Sequence, residues 1–114
     1  MTPKPVRLGE AARLDVRAIV FAYRTEAGEA VALRFAQALE RALRHIGAHP
    51  ASGSPRYAHE LDLPGLRVWP VRRFPHLVFH VEGEDMVSVW RVLLPVATFP
   101  RRCSAESIDA AAAR

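Results

Sequence analysis

Four arginines, Arg67, Arg72, Arg73 and Arg91, are set among apolar neighbours in the run LRVWPVRRFPHLVFHVEGEDMVSVWRVLL, which spans residues 66–94. A guanidinium offers five donors in a rigid fork and no acceptor, so it suits a carboxylate or a phosphate held bidentately. It is rarely placed against a core without a carboxylate, a carbonyl or a partner molecule to receive those donors. In an extended chain the side chains alternate, which puts Arg67, Trp69, Val71 and Arg73 on one face and Leu66, Val68, Pro70 and Arg72 on the other. Cations then stand on both faces of one strand. Taken singly, each is explained by a surface ion pair, such as Arg72 with Glu82 or Glu84, worth about 0 to 1 kcal/mol. Taken together they describe a cationic surface for a macromolecular partner, since Trp and Arg are common interface anchors.

Other chemistries find less support. Cys103 is the single cysteine, which excludes an internal disulfide and a thiolate cluster for zinc. Among the histidines His45, His49, His59, His76 and His80, the last two are four apart. On a strand that spacing separates them by about 13 Å, so neither a metal site nor a cofactor is expected. A chain of 114 residues, 50% hydrophobic and 25% charged, has the size and composition of one soluble globular domain. No apolar run approaches the roughly 20 residues of a bilayer span, and residues 1–10 contain no stretch resembling a signal peptide. The expectation is a cytoplasmic protein with no membrane contact. Net charge is +4, and every basic residue but Lys4 is arginine. That balance favours acidic surfaces, nucleic acid or an acidic protein without choosing among them.

The elements that must position these residues are read from periodicity. Residues 3–8 form an edge strand, where Pro3 and Pro5 are tolerated. From residue 9 to about 23, Ala11, Leu14, Ala18, Ile19 and Ala22 make one apolar side of a helix, leaving Asp15, Arg17 and Arg24 to water. After a turn at residues 25–28, a second helix over about 29–46 carries the stripe Val31, Phe35, Leu39, Leu43 and Ile46. So short a turn dictates an antiparallel hairpin whose apolar faces point together at a sheet. Residues 45–65 read as a long loop punctuated by Gly and Pro, with a helical turn over 57–61. Three strands follow, at about 66–73, 77–82 and 86–93, joined as an antiparallel meander. In the second, Leu77, Phe79 and Val81 are expected to meet the helices, with Val78 and His80 on the opposite side. Such a sheet, covered on one face, leaves Trp69 or Trp90 exposed, and contiguous apolar exposure marks a partner site. The class is α+β, with one domain over residues 1–100. Residues 101–114 form a tail, read either as a short helix capped by Ser104 or as a frayed end.

The order strand, helix hairpin, loop and three-strand meander resembles the ParE branch of the RelE/ParE toxin family. Its carriers are AARLDVRAIVFAYRTEAGEAVALRFAQALERALRHIGAHPASG, then LPGLRVWPVRRFPHLVFHV and MVSVWRVL. The resemblance implies a type II toxin–antitoxin toxin held inactive in hetero-oligomers by an acidic, ParD-like antitoxin with a ribbon-helix-helix part. ParE-like members poison DNA gyrase, whereas RelE-like members cut messenger RNA on the ribosome.

RNA cleavage requires a group to activate the 2′-hydroxyl and one to protonate the leaving oxygen, besides cations for the phosphorane. Arg67 and Arg91 match arginine positions of the family and are the catalytic candidates under that reading. The histidine that family members often show after RVL is replaced by Leu94, and Tyr57 and His59 match no family catalytic position. The favoured expectation is therefore inhibition of gyrase by binding, without catalysis, through Arg67, Trp69, Arg72, Arg73, Arg91, Arg101 and Arg102. DNA would be contacted only through gyrase or the antitoxin. Val31, Phe35 and Leu39, with Leu33 and Ala36, are the candidates for an antitoxin groove, the alternative being that most of them are core, since such a stripe normally covers a sheet. A non-toxic binding module is the third reading.

Overall fold

The computed structural model describes residues 3–95. Strand β1 (Val6–Leu8) is followed by helices α1 (Glu10–Ala27) and α2 (Glu29–Ala48), a short helix α3 (Arg56–Glu60), and strands β2 (Leu66–Pro70), β3 (Leu77–Glu82) and β4 (Val87–Leu93). The α+β order is the expected one. The first helix outlasts its expected end at residue 23, and Gly28 alone makes the joint. Its φ of 100° lies where L side chains are rarely found, so glycine can break the helix in a single residue. Its N–H donates to the carbonyl of Tyr23 at 3.0 Å and closes the last turn of α1.

The sheet order is β1-β4-β3-β2. Strands β2, β3 and β4 form the expected antiparallel meander. Strand β1 adds in parallel beside β4, Val6 opposite Val87, so the whole sheet is mixed. A parallel pair needs a long crossover, which here comprises the helix hairpin, α3 and the other two strands. The Val87 N–H donates to Pro5 and the Gly9 N–H to Val89, at 2.9 and 3.0 Å, while Pro5 lies at an edge as its missing donor requires.

At the other edge β2 stops at Pro70, short of the expected residue 73. The Val71 N–H donates to His76 and the Phe74 N–H to Val71, which turns the chain, and Arg73 adopts φ 73°. Arg72 and Arg73 thus leave the strand, and the alternation expected to carry Arg73 on the face of Arg67 does not reach them. Outside β2, Ser54 exchanges both backbone hydrogen bonds with Val68 at 3.0 Å, which covers the open edge. Gly53 makes that approach possible, because a Cβ there would stand 2.7 Å from the carbonyl oxygen of Val68.

Two apolar layers sandwich the sheet. The hairpin packs Ala12, Phe35, Leu39, Ala42 and Ile46 against Val78, Val87, Val89 and Val92. On the opposite face Tyr57 and Leu61 of the α3 region pack on Leu66, Val68, Phe79 and Leu93, flanked by Leu77 and Val81. The expected facing of β3 is therefore reversed: Val78 meets the hairpin, and Leu77, Phe79 and Val81 meet α3. Period two fixes which residues share a face and is silent about which layer covers it. The facing of α1 is corrected as well. Val16, Ile19, Val20 and Tyr23 turn inward with Ala12, while Leu14, Ala18 and Ala22 are exposed. This helix carries apolar residues on both sides, so one stripe is left over. No helix among the described residues is long and apolar enough to cross a membrane.

Leu39→Ala should lower the stability by about 2 to 5 kcal/mol, read as a fall in the urea midpoint at unchanged slope. Leu33→Ala, on the same helix but 57% exposed, should stay within about 0.5 kcal/mol of the parent chain.

Candidate functional site

Strand β4 carries one extra residue. His80 pairs with Val89 and Phe79 with Arg91, which leaves Trp90 unmatched in a bulge. Bulges re-aim side chains, and here Val89 and Val92, three apart, share the hairpin face. The guanidinium of Arg91 forks onto Asp15 of α1, Nε and Nη2 each donating to a carboxylate oxygen at 2.8 Å. The Val92 N–H adds a third donor to the same carboxylate at 3.0 Å. Both side chains are almost fully buried. Asp15, expected to face water, is instead the internal counter-charge of α1. Arg91 is correspondingly withdrawn from the surface where a target contact was expected.

Arg67 is also engaged, its Nη1 donating to the carbonyl of Gly53 at 3.0 Å. Across the ladder it lies opposite His80. His80 is fully buried, and among the described residues neither ring nitrogen has a hydrogen-bond partner. Burial, and then the Arg67 charge, push its pKa down to about 4. His76 is buried and lowered by the same burial cost. Among the described residues no three His, Cys, Asp or Glu side chains group as metal ligands.

Trp69 is half-buried, stacked on His45 with ring centres 4.1 Å apart. Arg72 and Arg73 are exposed in the turn after β2. The partner imagined for Arg72, Glu82, is taken by Lys4 at 2.8 Å. Arg101 and Arg102 lie outside the described residues, as does the tail over 101–114. The expected target surface is thus divided, with two arginines committed internally and two presented at a turn. The expected antitoxin residues are divided too: Phe35 and Leu39 are core and Val31 is half-buried, so a partner at α2 would meet Leu33 instead.

A second basic surface went unnoticed in the sequence. Arg7 of β1, Arg13, Leu14 and Arg17 of α1, and Trp90 at the bulge line a groove of about 830 Å³. The signal available was the Arg13–Arg17 pair one helical turn apart around Leu14. The meeting with Arg7 and Trp90 depends on β1 lying beside β4, which no local pattern announces.

A family model described as ParE toxin of type II toxin-antitoxin system, parDE, matches residues 6–94. No match is found among curated proteins. Among solved structures, a chain of the chromosomal ParDE TA system from P. aeruginosa superposes with a TM-score of 0.70 at 18% identity, covering 82% of this chain and 97% of that one. At that identity the likeness is one of fold.

Asp15→Ala strands a buried guanidinium and should cost about 3 to 5 kcal/mol, whereas Asp15→Leu combined with Arg91→Met should cost less than that single change in the same urea titration. His80 binds protons more weakly folded, at about 4, than its ordinary 6.5. The unfolded chain therefore takes up protons first, so stability is full above pH 6.5 and falls as the pH is lowered toward 4. An NMR titration of the His80 ring should place its midpoint well below 6.5, and a midpoint at that ordinary value would refute this account.

Proposed function

This chain belongs to the ParE toxin family of type II toxin–antitoxin systems, and from that premise we propose that it acts in the cytoplasm by binding DNA gyrase, without cutting RNA. A ParD-like acidic antitoxin holds it inactive in hetero-oligomers. The observation that carries the non-catalytic half of the reading is the occupancy of Arg67 and Arg91. RNA cleavage would call on both to hold a phosphate, yet Arg91 is forked onto the buried Asp15 and Arg67 already has one donor on the Gly53 carbonyl. The imidazole nearest to them along the ladder, His80, is sealed in the core and uncharged at neutral pH. Proton transfer commonly supplies about 10²- to 10⁴-fold of such a rate, and among the described residues the one imidazole across the ladder from Arg67 is this buried, uncharged one.

Binding needs less. The turn after β2 is pinned by the Val71 N–H on His76 and the Phe74 N–H on Val71. It presents Arg72 and Arg73 at the end of the sheet, next to the partly exposed Trp69. Two guanidinium forks on a short, hydrogen-bonded turn lose little freedom on docking, and an acidic protein surface or DNA phosphates can receive them. Inhibition then consists of occupying gyrase during its cycle.

Expression of the chain alone should arrest growth, and the purified protein should block supercoiling by gyrase. Arg72→Ala with Arg73→Ala should weaken inhibition about tenfold or more with stability unchanged to within about 0.5 kcal/mol. Normal growth would leave a binding module without toxicity. RNA cleavage by the pure protein, lost in Arg67→Ala, would overturn the reading.

A further inference from the structure

Two histidines four apart on a strand stand about 13 Å from each other, whereas the same spacing on a helix brings them onto one face. His45 and His49 have the second arrangement. Helix α2 runs to Ala48, past its expected end at about 46, and His49 is its C-cap. The His49 N–H donates to the His45 carbonyl and the Ser52 N–H to the His49 carbonyl, both at 2.9 Å, which pins the backbone of the pair. Their ring centres are 4.9 Å apart. Two imidazoles sharing one ion at a metal–nitrogen distance of about 2.1 Å place their centres about 4.5 to 5.3 Å apart, for angles at the ion between about 90° and 109°. The rings already stand at the separation a shared ion requires. Trp69 stacks on the face of His45 at 4.1 Å and 16°, and because ring nitrogens point outward in the ring plane, this cover orients the imidazole without blocking it. Among the described residues neither imidazole takes part in a hydrogen bond or an ion pair. His49 is exposed and His45 half-buried, so the pair is reached from water.

We infer that His45 and His49 form a chelating site for one divalent transition ion of the imidazole-preferring class, Zn²⁺, Ni²⁺ or Cu²⁺. Imidazole suits these ions, whereas Mg²⁺ and Ca²⁺ call for oxygen ligands. The location favours a cation as well, since the rings lie at the carboxyl end of a 20-residue helix, where the aligned peptide dipoles attract positive charge. Of the arginines nearby in sequence on the two elements, Arg44 is paired with Glu40 at 3.8 Å and Arg67 donates to the Gly53 carbonyl. Two protein ligands leave the remaining coordination positions to water or to a donor from a partner. Trp69 is shared between this site and the surface offered to the target, so an occupied site adds two positive charges there. Ion binding itself does not depend on which target that surface meets.

The test uses the full chain, free of any histidine tag, with Cys103→Ala to remove the thiol and Trp90→Phe to leave Trp69 as the single indole. Titrated with NiCl₂ or CuCl₂, whose ions quench a nearby indole, the Trp69 fluorescence should fall saturably with one ion per chain and recover on addition of EDTA. The same concentration of MgCl₂ should leave it unchanged. His49→Ala, at the exposed cap, should weaken binding about tenfold or more at unchanged circular dichroism, because the second imidazole acts as a partner already held in place. His59→Ala, exposed on α3, should bind as the parent does. In the chain with all its histidines, ZnCl₂ should move the NMR ring signals of His45 and His49 and leave those of His59 in place. Quenching that never saturates, that is equal in His49→Ala, or that is lost in His59→Ala would overturn the inference and leave an adventitious ion only. So would zinc-induced shifts at His59 without any at His45 and His49.

Discussion

A guanidinium enclosed between a helix and a bulged strand must be met by a carboxylate of matching geometry, and Asp15 meets Arg91 with both oxygens. The rest of the architecture is arranged around that contact. It fixes how far α1 slides along β4, because the same carboxylate also takes the Val92 N–H just past the bulge. A buried pair of this kind gains little net stability over apolar residues of the same volume, since removing two charges from water offsets most of their attraction. What it supplies is a single permitted register. From that register follow the closure of the hairpin over Val78, Val87, Val89 and Val92, and the placement of Arg13 and Arg17 along one wall of the groove.

The same pair separates structural cations from displayed ones. Arg91 and Arg67 resemble surface arginines in the sequence, yet one holds a helix to the sheet and the other clamps the loop at Gly53. Arg7, Arg13, Arg17, Arg72 and Arg73 are left to face outward. Positive charge is thus displayed at the turn after β2 and along the groove, while Arg91, which also lines the groove, is held by Asp15.

Much of the fold was legible because it is local. The break at Gly28, the stripe from Val31 to Ile46 and the turn at Gly83 to Asp85 are written in glycine and in spacings of three, four and two. Where the reading went astray, the deciding partner was distant. Asp15 looked solvated because Arg91 lies 76 positions further along. The second strand looked longer because Val71, Arg72 and Arg73 continue its composition, whereas the hydrogen bond from Val71 to His76 turns the chain. The facing of β3 was inverted because α3, five residues long, supplies a second apolar layer that its sequence scarcely advertises. Of the candidate surface, Arg72 and Arg73 could be read directly. The groove could not, because it exists only once β1 lies beside β4.

That pairing also imposes a schedule. Val6 finds its sheet neighbour at Val87, so an emerging polypeptide has made both long helices and two further strands before its first strand has anything to join. Contacts of such long range are formed late, after the entropy of closing the intervening loop has been overcome. During synthesis the amino-terminal segment is a strand in waiting, and the groove beside it does not yet exist. A half-made molecule therefore lacks that edge until translation has reached the last strand.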